Sequence, residues 1–251
     1  MPIPSQTAVV TGAASGMGRI IATRLARGGT TVHALDRDGD ALELLAKEID
    51  GIVAHPVDVT DAAALDAILA PLAADVDLLV TAAAIGHTGR IVATPFETFE
   101  RLAKVNYLGT VATIAPLLPA MIAARRGRIV VFASMAGWVP APAHGPYNSM
   151  KAALVMYSEV LRGEVARTGV KVHCVCPPAV STPLLDDMPA AKDALGLVKA
   201  MQPEAVVDAI EKAVRRGSFW IFPDVPSKVM WRIRRHAPRL LNAFVSRLIK
   251  A

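Results

Sequence analysis

Cysteine is scarce: Cys174 and Cys176 are the only two in 251 residues, too few for a disulfide framework. The strand expected around them is taken to turn their side chains to opposite faces, leaving two buried, reduced thiols that neither pair nor share a metal. No metal is expected. Long apolar runs are also missing. Although 53% of the residues are hydrophobic, no run approaches the ~20 needed to span a bilayer. The opening Met1 to Gln6 has neither a charged nor an apolar leader stretch, so a cytoplasmic location is expected. Excess charge of one sign is absent from most of the chain. The net charge is +5, but residues 211–251 carry +8 and the rest −3. A basic C-terminal segment does not make the whole chain a nucleic-acid binder, and no nucleic-acid partner is expected. What the chain has in quantity is core-forming residues, enough for one large domain.

The order of elements is informative. Thr7 to Thr11 is a β-branched apolar run that meets Gly12-Ala13-Ala14-Ser15-Gly16-Met17-Gly18 and then a helical pattern. Strand, glycine turn and helix N-terminus together aim backbone N–H groups and a helix dipole at a pyrophosphate. The next strand, from Thr30, ends at Asp36, where a carboxylate can accept hydrogen bonds from a ribose diol and repel a 2′-phosphate. Arg37 partly offsets that repulsion, so NAD is favoured and NADP is less expected. A plain turn role for Asp36 is the alternative. A helix at about 39 to 50, a strand at 52–56, a helix at 61 to 74 and a strand at 77–81 continue the alternation. That pattern predicts a parallel sheet with helices on both faces. Asp58 is placed either to read an adenine edge or to cap the following helix.

From about 97 a long helix carries Asn106 among apolar residues, as a satisfied core amide or a kink device. The strand 128–133 delivers Ser134 at its C-terminal end, the edge where such sheets keep ligands. Thirteen residues on, a helix expected to reach about Thr168 opens with Tyr147 and Lys151, four apart and therefore on one face. A free tyrosine titrates near pH ~10, and the neighbouring ammonium is expected to favour its phenolate. The strand 170–176 leads into the stiff turn Pro177 to Pro183. The punctuated apolar stretch 183–201, with Leu184, Leu185 and Met188, reads as a lid over an apolar ligand or as a docked helix. A helix at 203 to 216 and a strand at 218–222 close the domain.

Thr11-Gly12-x-x-x-Gly16-x-Gly18, Asp58, Asn106, Ser134, Tyr147 and Lys151, in this order and spacing, resemble the short-chain dehydrogenases/reductases over roughly residues 5 to 225. The resemblance implies a Rossmann-type doubly wound parallel sheet of seven strands in the order 3-2-1-4-5-6-7, and a homodimer or homotetramer. It implies Tyr147 as proton donor or acceptor and Ser134 as hydrogen-bond partner of the substrate oxygen. Lys151 would lower the tyrosine pKa and hold the nicotinamide ribose, and Asn106 would anchor a water relay. Cofactor contacts are implied at Gly12, Ser15, Gly16, Met17, Gly18, Asp36, Arg37, Asp58, Val59, Ala82, Ala83, Ala84, Tyr147 and Lys151. Pro177, Val180 and Thr182 would clamp the nicotinamide amide. Two departures stand out. Thr81-Ala82-Ala83-Ala84 replaces the family's Asn-Asn-Ala-Gly, losing a side-chain brace between strands and a glycine-only conformation. Pro178 stands where glycine is usual.

The expected organisation is one Rossmann-type catalytic domain at 1–225 followed by a basic amphipathic helical extension at 226–251. The expected reaction is reversible NAD(H)-dependent hydride transfer between a hydrophobic secondary alcohol and its ketone. Ser134, Met135, Trp138, Tyr147, Leu184, Leu185 and Met188, with Val139 and Ile85, are expected around the substrate. His87 and His144 are more often simply solvated. The alternatives are an NADP(H)-dependent ketone reductase and a dinucleotide-binding sensor or scaffold with little turnover. In the tail, Leu240, Leu241, Phe244, Val245, Leu248 and Ile249 recur at helical spacing opposite basic residues. That face can pack on the protein or lie on an anionic membrane.

Overall fold

The computed structural model describes residues 2–189, 200–239 and 241–242. Among them, seven strands form one parallel sheet: β1 (Thr7–Thr11), β2 (Thr31–Asp36), β3 (Ile52–Pro56), β4 (Leu78–Thr81), β5 (Arg128–Phe132), β6 (Lys171–Val175) and β7 (Trp220–Ile221). Their order is β3-β2-β1-β4-β5-β6-β7, as the resemblance implies. The chain reverses direction across the sheet between β1 and β4, and such a switch point opens a crevice at the C-terminal strand ends.

The strands are apolar on both faces because both are covered. On one side Val10, Val80 and Val175 pack against Ile21 and Leu25 of α1 (Gly16–Arg27), Leu42 of α2 (Gly39–Glu48) and Ile210 of α9 (Pro203–Arg215). On the other, Val9, Leu79 and Val131 meet Leu65 of α3 (Ala62–Leu69), Ile114 of α5 (Gly109–Ile114) and Leu154 of α7 (Gly145–Glu164). The other helices are α4 (Phe96–Leu102), α6 (Leu118–Ala123), α8 (Pro183–Asp186) and α10 (Val225–His236). Aspartates start three of them: Asp38, Asp61 and Asp224 accept the amides of Ala41, Ala64 and Ser227 at 3.1, 3.0 and 2.8 Å. A carboxylate at this position satisfies an otherwise orphaned N–H and complements the helix dipole.

Three sequence expectations change. The helix from 97 is interrupted: α4 runs into a π-helical turn, Ala103–Leu108, before α5. The last strand is only Trp220–Ile221. Cys174 and Cys176 do not point apart. Residues two apart in a strand share a face, and the two buried sulfurs lie 3.9 Å from each other. The expected amphipathic face from Leu240 to Ile249 falls almost entirely outside the described residues; Leu241, which is described, is buried. No helix among the described residues is long and apolar enough to cross a membrane.

Candidate active site

At the end of β1 the chain turns through Gly12 into α1. Gly12 and Gly16 adopt φ of 68° and 52°, a region glycine enters without a side-chain penalty. A Cβ at Gly12 would sit 2.8 Å from the Ala83 nitrogen, and one at Gly18 would sit 2.1 Å from the Gly12 carbonyl oxygen. Only a bare backbone lets the turn lie this close to β4. Ser15 begins α1 without capping an amide through its side chain, and the first turn holds no acidic residue. The positive end of the helix dipole therefore faces a cleft of about 440 Å³ lined by Gly12, Ser15, Gly16, Met17 and Gly18. Asp36 and Arg37 after β2, Asp58 and Val59 after β3, and Ala82 to Ala84 after β4 complete its walls. Asp36 is held at the rim, accepting the amides of Ala14 at 3.0 Å and Asp38 at 3.1 Å. Asp58 accepts the Thr60 amide at 2.8 Å; the cap of α3 is Asp61, three residues on. The donor set, free helix amides at one end and a fixed carboxylate at the other, fits a dinucleotide.

Strand β5 delivers Ser134 to a 3-10 turn, Met135–Gly137, that packs directly on α7; a Cβ on Gly137 would lie 2.7 Å from the Lys151 carbonyl oxygen. The Ser134 hydroxyl accepts the Ala136 amide at 3.0 Å and donates to the Pro177 carbonyl at 3.4 Å. From α7, Tyr147 and Lys151 are both buried. The lysine Nζ donates to the Phe132 carbonyl at 2.8 Å and lies 5.7 Å from the centre of the tyrosine ring. The net direction of the tyrosine pKa is set by burial and not by the ammonium. Burial pushes Tyr147 up to about 12, opposed by the Ser134 hydroxyl. Burial likewise pushes Lys151 down to about 8, against the Cys174 and Cys176 thiols. Removing a charge from water outweighs a partner that is one turn away and already bonded to a carbonyl.

Asn106 lies in the π-helical turn, fully buried. Its Oδ1 accepts the Ile85 amide at 2.8 Å and its Nδ2 donates to the Ile85 carbonyl at 3.0 Å. It is a satisfied core amide and also a brace, because it ties the irregular helix to the chain leaving β4. π-turns of this kind cluster at functional sites.

Ser134, Tyr147 and Lys151 face a second cavity of about 300 Å³, which shares Met17, Ala82, Ala84, Thr182 and Leu184 with the first. The two cavities adjoin across these five residues. Pro177, Val180 and Thr182 line the floor of the second, and the loop they form is fixed by Met201, which bonds the Ser181 amide and the Ala179 carbonyl at 2.9 and 3.0 Å. Leu184, Leu185 and Met188 also line it. Gly86 lets Met188 approach, since a Cβ there would meet the Met188 Cγ at 2.6 Å. Residues 190–199 of the stretch expected to form a lid lie outside the described residues.

A family model described as short chain dehydrogenase matches residues 6–193. The chain belongs to the short-chain dehydrogenase family. As a member it is an oxidoreductase. It is 35% identical over 84% of its length to an uncharacterized oxidoreductase of Myxococcus xanthus, 85% of which is covered. It is 34% identical over 74% of its length to 2-dehydro-3-deoxy-L-rhamnonate dehydrogenase (NAD(+)) of a Sphingomonas strain, of which 76% is covered. A short-chain dehydrogenase from Sphingobium yanoikuyae in complex with NADPH superposes with a TM-score of 0.83 at 27% identity, covering 95% of each chain.

Within this short-chain dehydrogenase the substitution at Thr81 to Ala84 has a partial replacement. Thr11 accepts the Ala83 amide through its hydroxyl at 3.2 Å, so β1 itself braces the loop after β4. Ala84 is not among the residues with positive φ, so the loop does without the glycine conformation. Trp138, expected at the substrate, is not among the cavity-lining residues. It packs edge-on against Trp220 and Trp231 at 5.2 and 6.3 Å between ring centres. Ile85 lines the dinucleotide-shaped cleft instead of the apolar cavity, and His87 lines neither. Val139 and His144 do line the apolar cavity. Several further lining residues are not among those expected from the sequence, Asn148 and Met230 with them. Asn148 follows Tyr147 and could have been found from its place in the first turn of α7. Met230 lies on α10, in a segment read as an appendage.

Proposed function

We propose that this short-chain dehydrogenase catalyses reversible hydride transfer between a hydrophobic secondary alcohol and its ketone, using a nicotinamide dinucleotide. The observation that carries the reading is the convergence of Ser134, Tyr147 and Lys151 on an apolar cavity that adjoins the glycine-turn cleft and shares five lining residues with it. When bound, the nicotinamide supplies a hydride acceptor or donor. Tyr147, protonated at neutral pH because it is buried, donates its proton to the carbonyl oxygen of the ketone in reduction and recovers it from the alcohol in oxidation. Ser134 donates a hydrogen bond to the same oxygen and fixes it beside the phenol. Lys151 provides the positive charge near the phenol that favours the phenolate while the proton is away. Asn106 holds the wall at Ile85 in register with that centre.

NAD is the preferred form in this reading. The Asp36 carboxylate, locked in place by two amides, accepts from a ribose diol and repels a 2′-phosphate. The relatives' names include both NAD(+) and NADPH, so the carboxylate, not the comparison, supports the preference. An oligomer formed through α7 and the π-helical turn is part of the same reading. Leu108, Met156 and Val160 stand 51%, 60% and 51% exposed there, a cluster of apolar side chains that association would cover.

The test is oxidation of a panel of aliphatic and aromatic secondary alcohols with NAD or NADP, followed as absorbance of the reduced dinucleotide. Turnover of apolar alcohols with NAD is expected. Binding of dinucleotide without turnover of any alcohol or ketone would sink the enzymatic reading in favour of a sensor.

A further inference from the structure

Helix α10 begins after β7 and returns over the domain. Asp224 caps it, Pro226 sits in its first turn, and Trp231 anchors it. The Trp231 ring lies 5.1 Å from Phe222, 6.2 Å from Trp220 and 6.3 Å from Trp138, centre to centre. Arg235, one turn on, stacks over the same ring at 5.9 Å. Trp138 in turn belongs to the loop of the catalytic serine, since its amide donates to the Met135 carbonyl at 2.9 Å. The helix is therefore docked by aromatic contact onto the same turn that presents Ser134. Aromatic pairs of this geometry contribute beyond the area they bury. Next to the anchor, Met230 reaches the apolar cavity and lines it together with Met135, Leu185 and Met188.

We infer that α10 is a wall of the substrate site and that Met230 is a specificity-determining residue, setting how bulky an apolar alcohol or ketone fits beside Tyr147. This rests on the alcohol–ketone reading above. Methionine suits the position, because an unbranched thioether side chain fills irregular space and yields to different shapes. Its size also sets a limit. The cavity of about 300 Å³ is at the small end for ligand sites, so the volume of one side chain is a large fraction of what the substrate can occupy. The basic C-terminal segment thus begins with an element of the active site.

The protein carries a reporter for this. All three tryptophans of the chain, Trp138, Trp220 and Trp231, belong to the cluster that docks α10, so intrinsic emission reads this region alone. The probes are cyclohexanol, menthol and 4-cyclohexylcyclohexanol, secondary alcohols of increasing bulk that do not fluoresce. Each is titrated into full-length wild type, Met230→Ala, Met230→Trp and, as a control on the outer face of α10, Val229→Ala. Both emission and kcat/KM with NAD and NADP are read. Met230→Ala is expected to shift the preference toward the bulkiest alcohol by about tenfold, the range one side-chain increment supplies. Met230→Trp is expected to shift it toward cyclohexanol, and Val229→Ala to leave it unchanged. If Met230→Trp fails to fold, Met230→Ala decides alone. An unchanged size preference in a folded, active Met230→Ala overturns the inference. If no alcohol is turned over but emission changes with a size order that depends on residue 230, the wall stands and the proposed reaction falls. Absence of any emission change or turnover in wild type with every probe overturns both.

Discussion

Lys151 and Tyr147 lie a turn apart on α7, but the lysine's hydrogen bond goes to the Phe132 carbonyl at 2.8 Å and its Nζ stays 5.7 Å from the tyrosine ring centre. The pair is therefore two separately buried groups, one held up to about 12 and the other down to about 8. Two outcomes follow for their replacement. Tyr147→Phe is expected to lose about 10²- to 10⁴-fold in kcat, the usual loss on removing a proton-transfer group, while dinucleotide binding persists. Lys151→Met is expected to lose turnover yet not to lose stability at neutral pH. A lysine pKa lowered from 10.5 to about 8 means the charged form costs roughly 3 kcal/mol there, which offsets the one carbonyl left without its donor. Between pH 8 and 10 the unfolded chain holds a proton that the folded lysine has released, so wild-type stability rises with pH and that of Lys151→Met does not. Thermal melts of both proteins at pH 7 and pH 9.5 check this; parallel slopes would contradict it.

Asp36 accepts two backbone amides at the mouth of the dinucleotide-shaped cleft. Asp36→Ala removes the acceptor for a ribose diol and the charge that repels a 2′-phosphate. The ratio of kcat/KM with NAD to that with NADP is expected to drop by about 10- to 100-fold, the worth of a hydrogen bond to a charged group. Steady-state kinetics with both forms measures it. A ratio that stays constant while both values fall would mean that the carboxylate serves only the turn.

Much of this could be read in the chain, and the exceptions share a cause. The alternation of strands and helices and the Tyr147–Lys151 face follow from local patterns, whereas the strand order and the gathering of the glycine turn with Ser134, Tyr147 and Lys151 follow from the family resemblance those motifs carry. The errors lie where a contact comes from far along the chain. Trp138 is expected at the substrate, but its ring is claimed by Trp220 and Trp231, more than 80 residues away. Met230 was missed for the mirror-image reason: charge made its segment look like an appendage, whereas aromatic packing folds it back onto the cavity. Spacing along a helix gives the proximity of Lys151 to Tyr147 and says nothing of the burial that raises the tyrosine pKa. The cysteine error was of another kind, a strand period misapplied, and the sequence did contain the right answer.

Leu108, Met156 and Val160 are apolar and about half exposed on neighbouring helical segments. The Tyr107 and Tyr157 rings, at 6.1 Å and edge-on, join those segments. If this surface is where copies meet, Met156→Glu combined with Val160→Glu places charge in an apolar contact and shifts the protein to a smaller species. Light scattering after size exclusion, at matched concentrations, is the measurement. A wild type that runs as a monomer, or a double variant that keeps the wild-type mass, would remove this surface from consideration. The site residues lie on the opposite side of α7, so the far-ultraviolet spectrum and melting of the variant serve as controls for folding.

His33 on β2 and His55 on β3 share a hydrogen bond, Nδ1 to Nε2 at 2.9 Å, which requires one ring to donate and the other to accept, hence at least one neutral imidazole. Burial lowers both pKa values from the usual 6.5, and for His55 the neighbouring His33 lowers it further. The sign follows from proton counting. Above about pH 6.5 both rings are neutral in the folded and unfolded chain, and the pair's contribution is fully present. As pH falls below that, the unfolded chain takes up protons that the folded chain resists, so stability decreases toward acid. The melting temperature of the wild type is expected to fall between pH 7 and pH 5. His33→Gln, which leaves one titrating ring and no possibility of like-charge repulsion, is expected to show a shallower fall over the same range. Because β2 ends at Asp36, loosening of this strand pair should also weaken dinucleotide binding in acid, and less so in His33→Gln. Melts and dinucleotide titrations at pH 5, 6 and 7 test both, and identical acid slopes in the two proteins would place the pH dependence elsewhere.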